Sequence, residues 1–125
     1  LVSDAITLLE SEVGSLVFGA ASRAEVAISG TIPLPDGAMR PVSGRIDRLI
    51  IEDDRIRIVD LKTGRPAPLA ERPAILRQMA LYRAVLSAIY PARSIEAAVL
   101  WTETGALAPL PEALLESALS AITSE

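Results

Sequence analysis

Two runs of residues, Pro41 to Ile51 and Arg55 to Lys62, flank the acidic triplet Glu52-Asp53-Asp54. Each run is rich in β-branched residues, and the connection is too short for anything but a tight turn. The chain is thereby committed to an antiparallel hairpin near its middle, and the remaining elements must cover that hairpin's faces. Side chains alternate along a strand, so Asp60 and Lys62 share one face while Val59 and Leu61 point to the other. With Asp53-Asp54 as a two-residue loop, Asp47 stands opposite Asp60 and Arg45 opposite Lys62; a longer loop slips this register. Lys62 is the single lysine beside eleven arginines.

The other segments suggest how the hairpin is covered. Val2, Ala5, Ile6, Leu9 and Val13 lie near helical spacing, with Ser3-Asp4 as a cap and Gly14 as an end, which predicts a helix over roughly 2–13 and then a loop through Gly19. Arg23 to Gly30 alternates as a strand. Thr31 to Arg40, with two prolines and Asp36-Gly37, reads as a turn. Pro73 opens a helix over 74–90 whose stripe is Ile75, Met79, Tyr82, Leu86 and Ile89, widened by Leu76, Leu81 and Val85. Ser94 to Thr102 reads as a buried strand, Gly105 to Pro109 as a turn, and Pro111 onward as a last helix carrying Leu114, Leu115, Ala118, Leu119 and Ile122. The expected order is α-β-β-β-α-β-α, an α/β domain with a mixed sheet and the hairpin flanked by helices.

Composition removes several chemistries. With 125 residues the chain makes one domain, 1–125. It holds no cysteine and no histidine, which excludes disulfides, thiolate zinc sites and histidine triads from these residues. Any metal is held by oxygen, which favours magnesium, manganese or calcium. No apolar run is long enough to span a bilayer and no signal-peptide pattern is present, so a soluble chain with no membrane partner is expected. A net charge of −4 and a pI near 4.9 argue against a free-standing nucleic-acid binder, although a neighbouring domain can supply the basic channel.

The hairpin's polar residues suggest one chemistry. Opposed Cβ atoms of an antiparallel pair lie roughly 4.5–5.5 Å apart, so Asp47 and Asp60 repel unless a cation sits between them. Magnesium or manganese held by these two carboxylates, the Leu61 carbonyl, water and a substrate phosphate meets that need. Lys62 would then face the attacked phosphate and either stabilise its developing charge or orient the attacking water. The plainer alternative makes Asp60 a strand-ending carboxylate that accepts bonds from the Thr63-Gly64 turn, and Asp-x-Lys is a common triplet. On the following helix Gln78 and Tyr82 share a face. Gln78 can meet a phosphate or a metal-bound water; Tyr82 can stack on a base or pack beneath the site.

Gly44-Arg45-Ile46-Asp47-Arg48-Leu49, then Ile58-Val59-Asp60-Leu61-Lys62-Thr63-Gly64, then Gln78-Met79-Ala80-Leu81-Tyr82 resembles the RecB-like branch of the PD-(D/E)XK nucleases. The flanks Phe18-Gly19, Ser22 to Val26, Tyr90-Pro91 and Leu100-Trp101-Thr102 are similar to the C-terminal end of AddA-type helicase–nuclease subunits, and the resemblance covers nearly the whole chain. It implies a restriction-endonuclease-like core with Asp47 and Asp60 at the metal positions and Lys62 as the catalytic lysine. It adds Gln78 and Tyr82 to the catalytic set and leaves Glu25, at a family position on the first strand, without a role.

The same resemblance implies a magnesium-dependent exodeoxyribonuclease, cytoplasmic, that processes double-strand breaks for recombinational repair. DNA and an AddB-type subunit would be its partners, with ATP used only in an upstream helicase region. The family's further histidine ligand has no counterpart here, so the chain reads as a C-terminal fragment that binds metal weakly by itself. The competing expectation is a non-catalytic module of the same fold that docks a partner subunit or DNA.

Overall fold

A computed structural model of the chain describes residues 11–69 and 72–124. Along the chain these form α1 (Glu12–Phe18), β1 (Ser22–Pro33), β2 (Met39–Ile51), β3 (Arg55–Lys62), α2 (Pro73–Ile89), β4 (Ser94–Trp101), β5 (Ala106–Pro109) and α3 (Glu112–Thr123). The strands make one sheet in the order β1-β2-β3-β4-β5. β3 and β4 run parallel; the other neighbours are antiparallel. The expected α/β class and mixed sheet are present, with one strand more than the sequence suggested.

That strand is β5, where a turn was expected over Gly105 to Pro109. The turn is tighter: Gly105 donates to the Trp101 carbonyl at 2.8 Å with φ +73, and Ala106 to Pro109 then pair back onto β4. The β1–β2 turn is likewise shorter than Thr31 to Arg40. Gly37, at φ +87, sits in a tip closed by Leu34 N–H to the Ala38 carbonyl at 2.8 Å, which leaves Thr31–Pro33 and Met39–Arg40 as strand.

The helix expected over 2–13 lies mostly outside the described residues, but the loop expected from Gly14 through Gly19 is instead helix α1 as far as Phe18, capped by Ser11, whose hydroxyl accepts the Gly14 N–H at 2.9 Å. Gly14 is buried inside this helix; packing of Val17, fully buried, outweighs the glycine's poor propensity. The proposed Ser3-Asp4 cap lies outside the described residues.

Two apolar clusters flank the sheet. The larger joins Ile28, Ile46, Ile58 and Val99 to α2 and α3, and the smaller sets Val17 of α1 on Ile50, Val59 and Leu100. Helix α2 contributes seven buried side chains, each stabilising by about 1.5–3 kcal/mol when it is a large apolar residue. Ile89 departs from the expected stripe at 54% exposed, because α2 ends there.

The turn after Ile51 is the tight one expected. Leu49 pairs with Ile58 and Arg48 with Val59, the register that directs Asp47 toward Asp60. Strand β2 then does something that simple alternation forbids. Val42 and Ile46 belong to the larger cluster, as does Leu49, while Ile50 belongs to the smaller. The inward face therefore shifts by one residue between Ile46 and Leu49. On the neighbouring strand the reversal is matched by Glu25, which has φ +50 between the pairs Ala24–Arg48 and Val26–Ile46. Asp47 sits at the reversal.

Candidate active site

Beyond Arg48–Val59 the β2–β3 ladder stops, and a side chain continues it. The Leu61 N–H donates to Asp47 Oδ2 at 2.8 Å. This ties the Asp47 carboxylate to β3 beside Asp60.

Asp60 is the one buried charged residue among those described, at 7% exposed. It lies on the α2 face of the sheet with Lys62, while Val59 and Leu61 pack into the opposite cluster, as alternation predicted. Lys62 Nζ stands 3.1 Å from Asp60 Oδ2. That oxygen nevertheless has no hydrogen-bond partner of good geometry, so the contact is an ion pair rather than an aligned bond. Burial raises the Asp60 pKa; Lys62 opposes the shift, and the neighbouring Asp47 adds to it. Asp60 Oδ2 accepts no hydrogen bond from the Thr63-Gly64 turn, the alternative role for this carboxylate.

Flanking residues fix Asp47 from both sides. Arg48 Nε donates to the Val17 carbonyl at 3.1 Å and its guanidinium lies 4.8 Å from the Phe18 ring; Ser22 Oγ donates to the same carbonyl. Cationic and hydroxyl donors at this terminus satisfy a carbonyl that the helix itself cannot. On the other side the Arg45 N–H donates to Tyr82 Oη at 3.3 Å, and Gln78 Nε2 donates to the same oxygen at 3.1 Å. Tyr82 reaches β2 because residue 44 is glycine, where any Cβ would overlap the tyrosine hydroxyl. At 5% exposed, Tyr82 packs beneath the strand and presents no ring for stacking on a base.

The donor set suits a hard cation in kind. Two adjacent carboxylates, one of them buried, favour positive charge beyond the single Lys62 ammonium, and oxygen donors match magnesium or manganese. In number the set is small: among the described residues no three of His, Cys, Asp and Glu converge. The Leu61 carbonyl, water and substrate would complete the coordination, a normal arrangement for magnesium. Glu25 is exposed and is not joined to the pair. Arg48, the Leu61 N–H and the backbone break at Glu25 escaped sequence reasoning, because each acts through a contact between elements.

Among solved structures one described as "Crystal structure of SSO0001" is similar, with a TM-score of 0.45 and 19% identity over 92% of this chain. The chain spans about half of that structure's chain, 52%. No curated protein sequence matches. The family model of the PD-(D/E)XK nuclease superfamily, in contrast, matches residues 3–118. The chain belongs to the PD-(D/E)XK nuclease superfamily.

Proposed function

We propose that the chain is a magnesium- or manganese-dependent deoxyribonuclease domain of the RecB-like type that hydrolyses DNA phosphodiesters. The observation that carries this reading is the buried Asp60 carboxylate, ion-paired through Oδ2 to Lys62 and set beside Asp47. Asp47, Asp60 and the Leu61 carbonyl would hold a divalent ion, which would supply Lewis-acid polarisation of the phosphate and a lowered pKa for bound water. Lys62, about one-third exposed along its side chain, reaches from the Asp60 carboxylate to the scissile phosphate and stabilises its developing charge. Asp47 keeps its position through the Leu61 N–H. Gln78 and Tyr82 hold the Arg45 backbone and so are positioning residues for the strand that bears Asp47.

In the wider reading this domain serves an AddA-type helicase–nuclease as its exodeoxyribonuclease, with an AddB-type subunit as partner and ATP bound by the helicase region. The motif resemblance along Gly44–Leu49, Ile58–Gly64 and Gln78–Tyr82 supports it. Among the described residues no helix is long and apolar enough to cross a membrane.

Single substitutions test the chemistry. Asp60→Ala or Lys62→Ala in the full-length helicase–nuclease should lower DNA cleavage by about a hundredfold or more while unwinding continues. Cleavage at the wild-type rate in either variant would sink the assignment. The second reading, a non-catalytic docking module, is favoured by the net charge of −4 and the two-carboxylate donor set. It predicts unchanged cleavage in both variants and loss of partner or DNA binding when the surface is altered.

A further inference from the structure

We propose that Arg72, stacked over Trp101, binds a DNA phosphate next to the one faced by Lys62. This rests on the nuclease reading above and adds a substrate contact to the same site.

The placement follows from topology. β3 and β4 are parallel neighbours and end together, Lys62 beside Trp101 in register. The chain passes between them through α2, so the start of α2 lies over the carboxyl ends of both strands. In parallel α/β arrangements this is where ligands enter. Arg72 directly precedes α2 and is exposed.

Its geometry is that of a presented cation. The Arg72 guanidinium lies 5.4 Å from the Trp101 ring, and Trp101 is 1% exposed, a rigid platform fixed in the sheet. Stacking uses the flat face of a guanidinium and leaves its edge N–H groups free for bidentate contact with a phosphate. Arg72 makes no side-chain cap bond to its helix, and among the described residues its guanidinium has no ion-pair or hydrogen-bond acceptor.

A second stacked arginine shows what a structural role looks like. Arg93 lies 5.5 Å from the Tyr90 ring at the opposite end of β4, but its Nε donates to the Asp53 carbonyl at 3.3 Å. Arg93 fastens two loops through that bond; the Arg72 guanidinium makes no corresponding bond among the described residues. In a chain with four more acidic than basic residues, a guanidinium without an acceptor among the described residues, stacked over the Trp101 that pairs in register with the single lysine, points to an anionic polymer, which on the nuclease reading is the strand being cut.

The test is binding of a fluorescein-labelled single-stranded DNA oligonucleotide, read by anisotropy in EDTA across a salt series. Arg72→Gln should weaken binding about tenfold at low salt and lower the slope of log affinity on log salt by about 0.7, the share of one phosphate. Arg93→Gln should leave both unchanged. Equal losses in the two variants, no loss in Arg72→Gln, or no binding by the wild-type chain would each overturn the proposal. Cleavage with manganese is measured separately. A wild-type chain that binds DNA through Arg72 yet never cuts defeats the nuclease reading alone, whereas cutting with unaltered affinity in Arg72→Gln defeats this proposal alone.

Discussion

Asp47 accepts the backbone N–H of Leu61 through its side chain at 2.8 Å, just where the β2–β3 ladder ends. A carboxylate here has a structural task beside the proposed chemical one, and two substitutions separate them. Asp47→Asn and Asp47→Ala both remove the charge, but asparagine retains an acceptor for the amide. The alanine variant should be less stable than the asparagine variant by about 1 kcal/mol, measured by urea denaturation in EDTA. Equal stability would show that Leu61 finds another acceptor.

Asp60 sets a pH dependence. Burial raises its pKa above the ordinary 3.8, against the opposing effect of Lys62, so the folded state holds this proton more tightly than the unfolded state. Its contribution to stability is present below 3.8 and is lost as pH rises through the raised folded value. In EDTA, Asp60→Asn should therefore flatten the fall in stability over that window and be the more stable protein at neutral pH. A wild-type chain that gains stability across the window more steeply than Asp60→Asn would contradict the shift.

The hairpin was the most legible part of the sequence, for a local reason. A connection as short as Glu52-Asp53-Asp54 fixes the register, and alternation then puts Asp60 and Lys62 on one face with Leu61 on the other. Gly44 and Tyr82 lie far apart in sequence, and nothing local signals that the glycine makes room for the hydroxyl. Gly14 inside α1 and the shifted face of β2 are similar cases, in which packing prevails over propensity and period.

Arg48 is a test of that hidden layer. Arg48→Ala removes the bond to the Val17 carbonyl and the stack on Phe18, which should cost about 1–2 kcal/mol in a urea titration. Arg48→Lys keeps the charge without the planar group and should recover less than half of the loss. Full recovery by lysine would mean that charge alone holds the end of α1.

Glu25 offers a prediction that runs against strand propensity. Valine is a strong strand former, yet at φ +50 a β-branched side chain is strained. Glu25→Val should destabilise by about 1–2 kcal/mol, whereas Glu25→Gly should remain close to wild type in thermal unfolding. A stabilising valine would show that β1 runs straight through this position.

The central claim is that Asp47 and Asp60 hold one divalent ion. Crystals soaked in millimolar manganese and measured at the manganese absorption edge test it most directly. The account predicts an anomalous peak between the two carboxylates that disappears in Asp60→Asn. Side chains turned apart with no peak between them would contradict it.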